Sequence, residues 1–487
     1  MTTYTTQSGK VTAKGQRVQV GVQTDDTAIE PTKRLRSNVS ISPEITTVEY
    51  TPESSKAPTS QTLTSDTSTG KFGSEAVPYN ELQLFLNSTL VEDAAPTPDG
   101  TNGQMWEYDI LPDPQEVSKL TIQTAHKGTV ERGQQAHGLV GKSISFEVDK
   151  SNFKMSGDMI GGKLRDTADQ GSPAFTNADI PDITAYIGGT KDNTISRKDV
   201  CVYAYQPKAG DTNPYASLKK RVSGSPAGQQ ATITLTAGDT AAAVATAIEN
   251  ALIAMGCVDA ADITVVGAGG PMGTAGADVI VTITFENAGD YGNEPMPPVK
   301  ITGCSTTHTT VGSDSADEVQ EITIPKALAG DKTLHANIYQ TVLLPNLQSF
   351  KWEVNDRSEI EEPVRCDGVT YSMEGFGSSL SMKHEASDAL LHFLASLRGD
   401  APDGRHMVWI RMEANGPVIE GGTPSQYRLT IDSAAFLQVS GEMLSKDGKL
   451  LSASMNGVLA VDPIFVGGAT SGMGRVEVVN EQATVLA

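Results

Sequence analysis

Apolar and polar side chains alternate along much of this chain, with the two-residue period of half-buried strands. The pattern predicts strands at 34–42 (RLRSNVSIS), 120–125 (LTIQTA), 142–148 (KSISFEV) and 153–160 (FKMSGDMI). Further strands are predicted at 232–238, 262–267, 278–289, 349–354, 369–382, 406–413, 427–433, 437–444 and 450–461. Helical spacing marks three segments. In 78–90, Leu82, Phe85, Leu86 and Leu90 recur after Pro78. The segment 239–255 is alanine-rich, with Asp239 or Thr240 as its cap. The third, 384–399, carries Leu390, Leu391, Leu394 and Leu397, with Ser387 to start it and Gly399 to close it. The expected class is mainly β, of α+β type.

Two segments interrupt this texture. Residues 45–70 are rich in Ser, Thr and Pro and nearly free of core-grade side chains after Tyr50. They predict a long protruding loop or hairpin, and loops of that length carry function when they are ordered. The block 214–325, flanked by Gly and Pro, predicts a small separate β-α-β-β domain. The expected boundaries are 1–212, 213–325 for the inserted domain, and 326–487.

The two outer parts echo each other. FKMSGDMI at 153–160 has the form of LQVSGEML at 437–444. FGS at 72–74 answers FGS at 376–378, and FLNSTL at 85–90 answers FLASL at 393–397. FEVD at 146–149 answers LTID at 429–432. Matches in one order along the chain predict an internal duplication, with the inserted domain at the end of the first copy. Ring assemblies use equivalent interfaces related by rotation, so three doubled chains present six equivalent positions.

Composition narrows the chemistry. The chain carries 59 acidic and 37 basic residues, a net charge of −22, which argues against a large nucleic-acid-gripping face. KRLR at 33–36 and LKKR at 218–221 read as solvated surface. Cys201, Cys257, Cys304 and Cys366 are widely spaced, so neither a zinc site nor a disulfide framework is expected. No apolar run reaches the ~20 residues of a membrane helix. GAGGPMGTAG at 267–276 lies between two predicted strands and reads as a hairpin loop, not a dinucleotide site. KHEASDALLH at 383–392 has Asp388 where a zincin needs its second histidine, so His384 and His392 read as surface residues. Trp106, Trp352 and Trp409 read as core or interface anchors. No catalytic constellation, cofactor motif or metal site is recognised, and no enzyme is expected.

The layout resembles the tail tube proteins of long-tailed bacteriophages, of the siphovirus type. The likeness covers about 30–210 and 330–465. It rests on the order strand, long polar loop, strand, helix, strands, and on VTYSMEGFGSSLSMKHEASDALLHFLASL and YRLTIDSAAFLQVSGEMLSKDGKLLSASMNGVLAV. The resemblance implies two tandem β-sandwich, barrel-forming domains, each with one flanking helix, and an inserted domain on the outer surface. It implies a virion structural protein assembled in the bacterial host cytoplasm, with trimeric rings stacked into a tube; an insertion on the outside would obstruct a close-fitting contractile sheath. Its partners would be itself, the tape measure, distal tail and terminator proteins, and double-stranded DNA in transit. An acidic chain is compatible with a conduit that does not retain DNA, since each phosphate–cation contact adds affinity. The arm bridging subunits or rings is expected at Tyr50, Pro52, Glu53, Lys56 and Pro58, with a shorter acidic counterpart at Glu359, Glu361 and Glu362. Two other readings are a single-ring tail component, such as a distal tail or terminator protein, and a β-rich adhesin module.

Overall fold

The computed structural model describes residues 16–23, 29–50, 60–92, 95–112, 117–126, 132–166, 180–190, 193–205, 230–254, 258, 260–273, 278–286, 299–310, 317–335, 342–343, 347–355, 359–361, 370–372, 376–385, 407–421, 425–440, 452–467 and 470–486. The chain divides into two units. One comprises Met1–Val202, Pro345–Ser387 and Ile410–Ala487; the other comprises Tyr203–Leu344 and Asp388–Trp409. Both are built mainly from antiparallel strands.

In the first unit β1 (Gln16–Gln23) pairs with the short β2 (Lys33–Leu35). A break at Arg36 and Ser37 leads into β3 (Asn38–Tyr50), which pairs with β4 (Ser60–Ser74) from Asn38↔Gly73 to Tyr50↔Ser60. The predicted loop or hairpin at 45–70 is thus a hairpin, whose tip lies outside the described residues. A helical turn at Tyr79–Glu81 then opens α1 (Leu82–Asn87). This helix is shorter than 78–90, and it is buried on every side. It is therefore a plug in the unit, not the flanking helix expected from its leucine stripe. Buried polar groups at its start find partners in distant parts of the chain. Glu81 accepts bonds from the amides of Arg36 and Ser37 and from the Ser37 hydroxyl. Burial still pushes its carboxyl above the ordinary value. Gln83 and the Tyr79 carbonyl are held by Asn480 near the C-terminus.

Next come β5 (Lys119–His126), β6 (Arg132–Gly141), β7 (Ile144–Val148) and β8 (Phe153–Gly161). β5 pairs with β1 and β6, forming a second layer against which β3 packs. β8 pairs with both β4 and β7. β9 (Val200–Tyr205) straddles the division between the units, and its residues 203–204 pair with β10 (Val342–Leu343). The second unit holds the alanine-rich helix α2 (Ala241–Ala254), which packs on the sheet containing Ile263–Ala268 and Val279–Phe285. Those two strands pair directly, with Gly267 and Ala268 at the end of the first; 274–276 of GAGGPMGTAG lie outside the described residues. Val244, Ile248, Leu252, Val281, Ile283 and Phe285 form that core.

Back in the first unit, β11 (Leu347–Asn355) pairs with β12 (Gly377–Glu385). β13 (Met407–Ile419), which starts in the second unit, precedes β14 (Ser425–Ser440), β15 (Ser452–Leu459) and β16 (Gly474–Asn480). β14 pairs first with β16 and then with β15. Most of the predicted helix 384–399 lies outside the described residues. Its first two residues do not start a helix: His384 and Glu385 end strand β12. His384 is fully buried, because it shares a strand face with Leu380 and Met382. The surface assignment of His384 is therefore corrected; His392 lies outside the described residues.

The registers reveal the repeat. Asn38 faces Gly73, which faces Ser156, which faces Ser145, across β3-β4-β8-β7. Lys351 faces Ser381, which faces Asn456, which faces Gln438, across β11-β12-β15-β14. The strand order, directions and hairpin placement are the same. β1 and β2, ahead of β3, correspond in pairing to β9 and β10, ahead of β11. The strand order is thus repeated, but three of the markers expected for the repeat do not coincide in it. FKMSGDMI lies in β8, whose counterpart is ASMNGVLA at 453–460 in β15. LQVSGEML begins in β14, in the place of β7. The two FGS triplets stand four residues out of register, and LTID pairs with β16 instead of matching FEVD. The FLASL segment lies outside the described residues. The insertion also falls elsewhere: 206–341 separates β9 from β10, inside the second copy.

Two glycines give an independent check. A Cβ on Gly157 would strike the Ser143 carbonyl oxygen, and one on Gly457 would strike that of Phe436. These are register-equivalent residues meeting register-equivalent neighbours. Gly157→Ala and Gly457→Ala should each cost about 1–3 kcal/mol through overpacking. Ser156→Ala, next door on an exposed face, should cost under about 0.5 kcal/mol. Urea midpoints of the three variants test this. A second test concerns the buried pair in which Arg411 Nε and Nη2 donate to the Asp432 carboxylate at 2.6 and 2.7 Å. Arg411→Met leaves a buried carboxylate without its guanidinium and should lower stability by about 3–5 kcal/mol in the same assay.

Candidate assembly edges

The two four-strand sheets do not stand apart. β7 pairs antiparallel with β11 through Ile144↔Val354, Ser145↔Glu353, Phe146↔Trp352, Glu147↔Lys351 and Val148↔Phe350. The last strand of the first copy thereby joins the first strand of the second. Eight strands run on as β3-β4-β8-β7-β11-β12-β15-β14.

One face of this sheet is core. Val39, Phe72, Met155, Phe146, Trp352, Leu380 and Met455 point into it and are buried. At the join, the Phe146 ring lies 5.9 Å from Trp352 and 6.0 Å from Phe153, both tilted. The Trp352 indole N–H donates to Ser433 Oγ at 3.0 Å. Trp106 and Trp409 are also buried, as anchors should be.

The other face is bare and carries short polar side chains with charges of both signs. Lys71, Lys154, Lys351 and Lys383 stand against Glu147, Asp158, Glu353 and Glu385. Their positions are exposed or half-buried. Glu147 lies opposite Lys154 on one side and Lys351 on the other. Lys351 Nζ reaches Glu353 at 2.7 Å, and Ser379 Oγ donates to the same carboxylate at 3.0 Å. Lys351 pulls the Glu353 carboxyl below its ordinary value, against partial burial and with help from Ser379. The excess of acid in the whole chain is therefore not concentrated on this face.

Among the described residues, this eight-strand run has β3 at one end and the 435–440 stretch of β14 at the other. Among the described residues, β4 is the strand paired with β3. Pro43 in β3 has no amide hydrogen to give a ladder, and prolines in sheets direct that side outward at an edge. Val39 and Ile41 share its parity and present their amides and carbonyls outward. At the opposite end, the Ala434 amide and carbonyl bond Met473 and Ala460 on the β15–β16 side. By alternation, Leu437 and Val439 direct theirs to the other side. Neither edge stretch carries a charge or a proline between 38 and 42 or between 437 and 440. Natural sheets usually blunt exposed edges with such residues.

Beyond the sheet body, β3 and β4 continue as a two-stranded ribbon, since β8 pairs with β4 only as far as Gly161↔Ser68. Tyr50 stands at its far end, 64% exposed. Pro52, Glu53, Lys56 and Pro58 lie outside the described residues. The second copy repeats the device: Glu359–Glu361 pairs with Thr370–Ser372 beyond the β11–β12 hairpin. This places Glu359 and Glu361 on an arm strand; Glu362 lies outside the described residues. Sequence reading marked 45–70 as a loop or hairpin and missed the edges, although the alternation of NVSIS at 38–42 without charge was visible.

Among the described residues no cluster of His, Cys, Asp or Glu is arranged to hold a metal ion. Cys201 and Cys304 are not in disulfides. No helix among them is long and apolar enough to cross a membrane. The sequence matches no protein-family model, and a search of curated proteins returns no relative.

Proposed function

We propose that this protein is a self-assembling structural subunit whose doubled sheets close into rings, and that the rings stack into a phage tail tube. One observation carries the reading: two equivalent four-strand sheets are already joined edge to edge within a single chain. A join that repeats between chains generates a closed, rotationally symmetric wall, and closure satisfies the strand edges that a monomer leaves open. The core lies on one face of the sheet, so only the bare face fits on the inside of such a ring. A lining of serine, asparagine and compensated charges suits the passage of double-stranded DNA, because unmatched cations would add phosphate contacts and slow it. Tape measure, distal tail and terminator proteins are the further partners that this role requires, in a virion assembled in the host cytoplasm. The inserted domain at 206–341 is then a decoration of the wall, and no catalytic role is assigned.

The arms reach beyond the sheet body and are the parts suited to bridge one ring to the next. Replacing 47–64 by Asn-Gly keeps every β3–β4 pair from Asn38↔Gly73 to Thr46↔Ser65. The variant should form single rings that do not elongate, seen by electron microscopy. Long tubes from it would remove the arm from stacking. For the parent protein, end-on views should show threefold rings with six similar lobes and three chains. A single ring that never stacks at any concentration would indicate a distal tail or terminator role, and persistent monomers a binding module.

A further inference from the structure

We infer that a second copy of this chain pairs its β3 edge with the end of β14, in the register that β7 and β11 use inside the chain. The inference rests on the ring reading above and specifies it to single residue pairs. The occupant is fixed by continuity with the internal junction, since β14 stands in the place of β7, and β3 in the place of β11.

The register follows from the rows. Ser145 and Gln438 are equivalent, as are Lys351 and Asn38. Carrying Ile144↔Val354, Ser145↔Glu353, Phe146↔Trp352 and Glu147↔Lys351 onto their counterparts gives Leu437↔Ile41, Gln438↔Ser40, Val439↔Val39 and Ser440↔Asn38. A separate observation agrees. Val39 and Ile41 direct their backbone groups outward on parity from Pro43, and Leu437 and Val439 do so on parity from Ala434. The register thus opposes outward donors to outward donors' partners, as an antiparallel ladder requires. A shift by one residue would face bonding groups with non-bonding ones and turn every side chain to the wrong side.

The intermolecular junction differs in chemistry from the internal one. It has Val439↔Val39 where the chain has Phe146↔Trp352, and Ser440↔Asn38 where the chain has Glu147↔Lys351. It is held by backbone bonds and small apolar side chains, with no charge pair for salt to screen.

Paired cysteines test the register. Gln438 and Ser40 belong to the bare face, and directly opposed strand residues fall within disulfide reach. The full-length Gln438→Cys/Ser40→Cys variant, oxidised under assembly conditions, should give covalent dimers and trimers on non-reducing gels. Either single variant, carrying the native cysteines, should not. Ser145→Cys/Glu353→Cys is the internal control and should close within one chain. Gln438→Cys/Ser42→Cys, two residues out of register, should cross-link at least tenfold less. Rings seen by microscopy without the 438–40 cross-link, while the internal control closes, would overturn the register and leave the ring reading standing. Absence of both rings and intermolecular cross-links in the parent background would overturn the two together.

Discussion

The antiparallel pairing of 144–148 with 350–354 is the contact on which the first unit depends. It fuses two sheets that each lack one neighbour. It also places Phe146, Phe153 and Trp352 in one aromatic cluster under the seam. Each backbone hydrogen bond contributes only about 1 kcal/mol net, but leaving a buried strand edge unpaired costs more than that per group. The seam is therefore less a source of net stability than a constraint, since neither sheet can bury its core face without closing that edge. Burial of the large aromatic side chains then makes the closed arrangement favourable.

The sequence disclosed the elements better than their correspondence. Two-residue alternation located β5, β7, β8, β11 and β15, and the alanine-rich run gave α2. Two strands predicted at 427–433 and 437–444 turned out to belong to one, β14, since no turn residue separates them. The repeat was detected, yet its most conspicuous marker misled. Apolar–polar–apolar–Ser–Gly describes any strand that needs a close backbone approach. It therefore matched β8 with β14, although the counterpart of β8 is β15, the strand that pairs with β14. What identifies equivalents is register, which depends on contacts between distant residues. Gly157 and Gly457 could have been matched through Met-Ser-Gly and Met-Asn-Gly, since both follow a buried methionine.

Burial was the other quantity the sequence understated. The leucines of 78–90 suggested one apolar stripe, yet Gln83, Asn87 and Glu81 are buried as well. The partners of Glu81 and Gln83 are the Arg36–Ser37 break and Asn480, far away in sequence. A polar residue whose satisfaction comes from 400 residues along the chain, as for Gln83 and Asn480, reads locally as a solvent-facing one. His384 is the same case on a strand, where its position beside Leu380 and Met382 outweighs its polarity. In both places tertiary packing overrides a local hydropathy pattern.

In the ring proposed above, the junction inside a chain and the junction between chains have different tasks. A junction inside a chain forms at the high effective concentration set by its connection, so it tolerates a specific, bulky seam such as Phe146 on Trp352. A junction between chains must form from dilute subunits and must not form prematurely with wrong partners. The uncharged stretches 38–42 and 437–440 lack large aromatic side chains and supply less hydrophobic attraction than Phe146 on Trp352 before the backbones align. Their binding then depends on ladder geometry, which is directional, instead of on apolar area, which is not. Alternation of a strong covalently tethered seam with a weaker geometric one would let rings correct errors at the weak seams while each chain stays intact. A proposed ring with six identical aromatic seams would lack that asymmetry, which the divergence between Trp352 and its counterpart Val39 would supply.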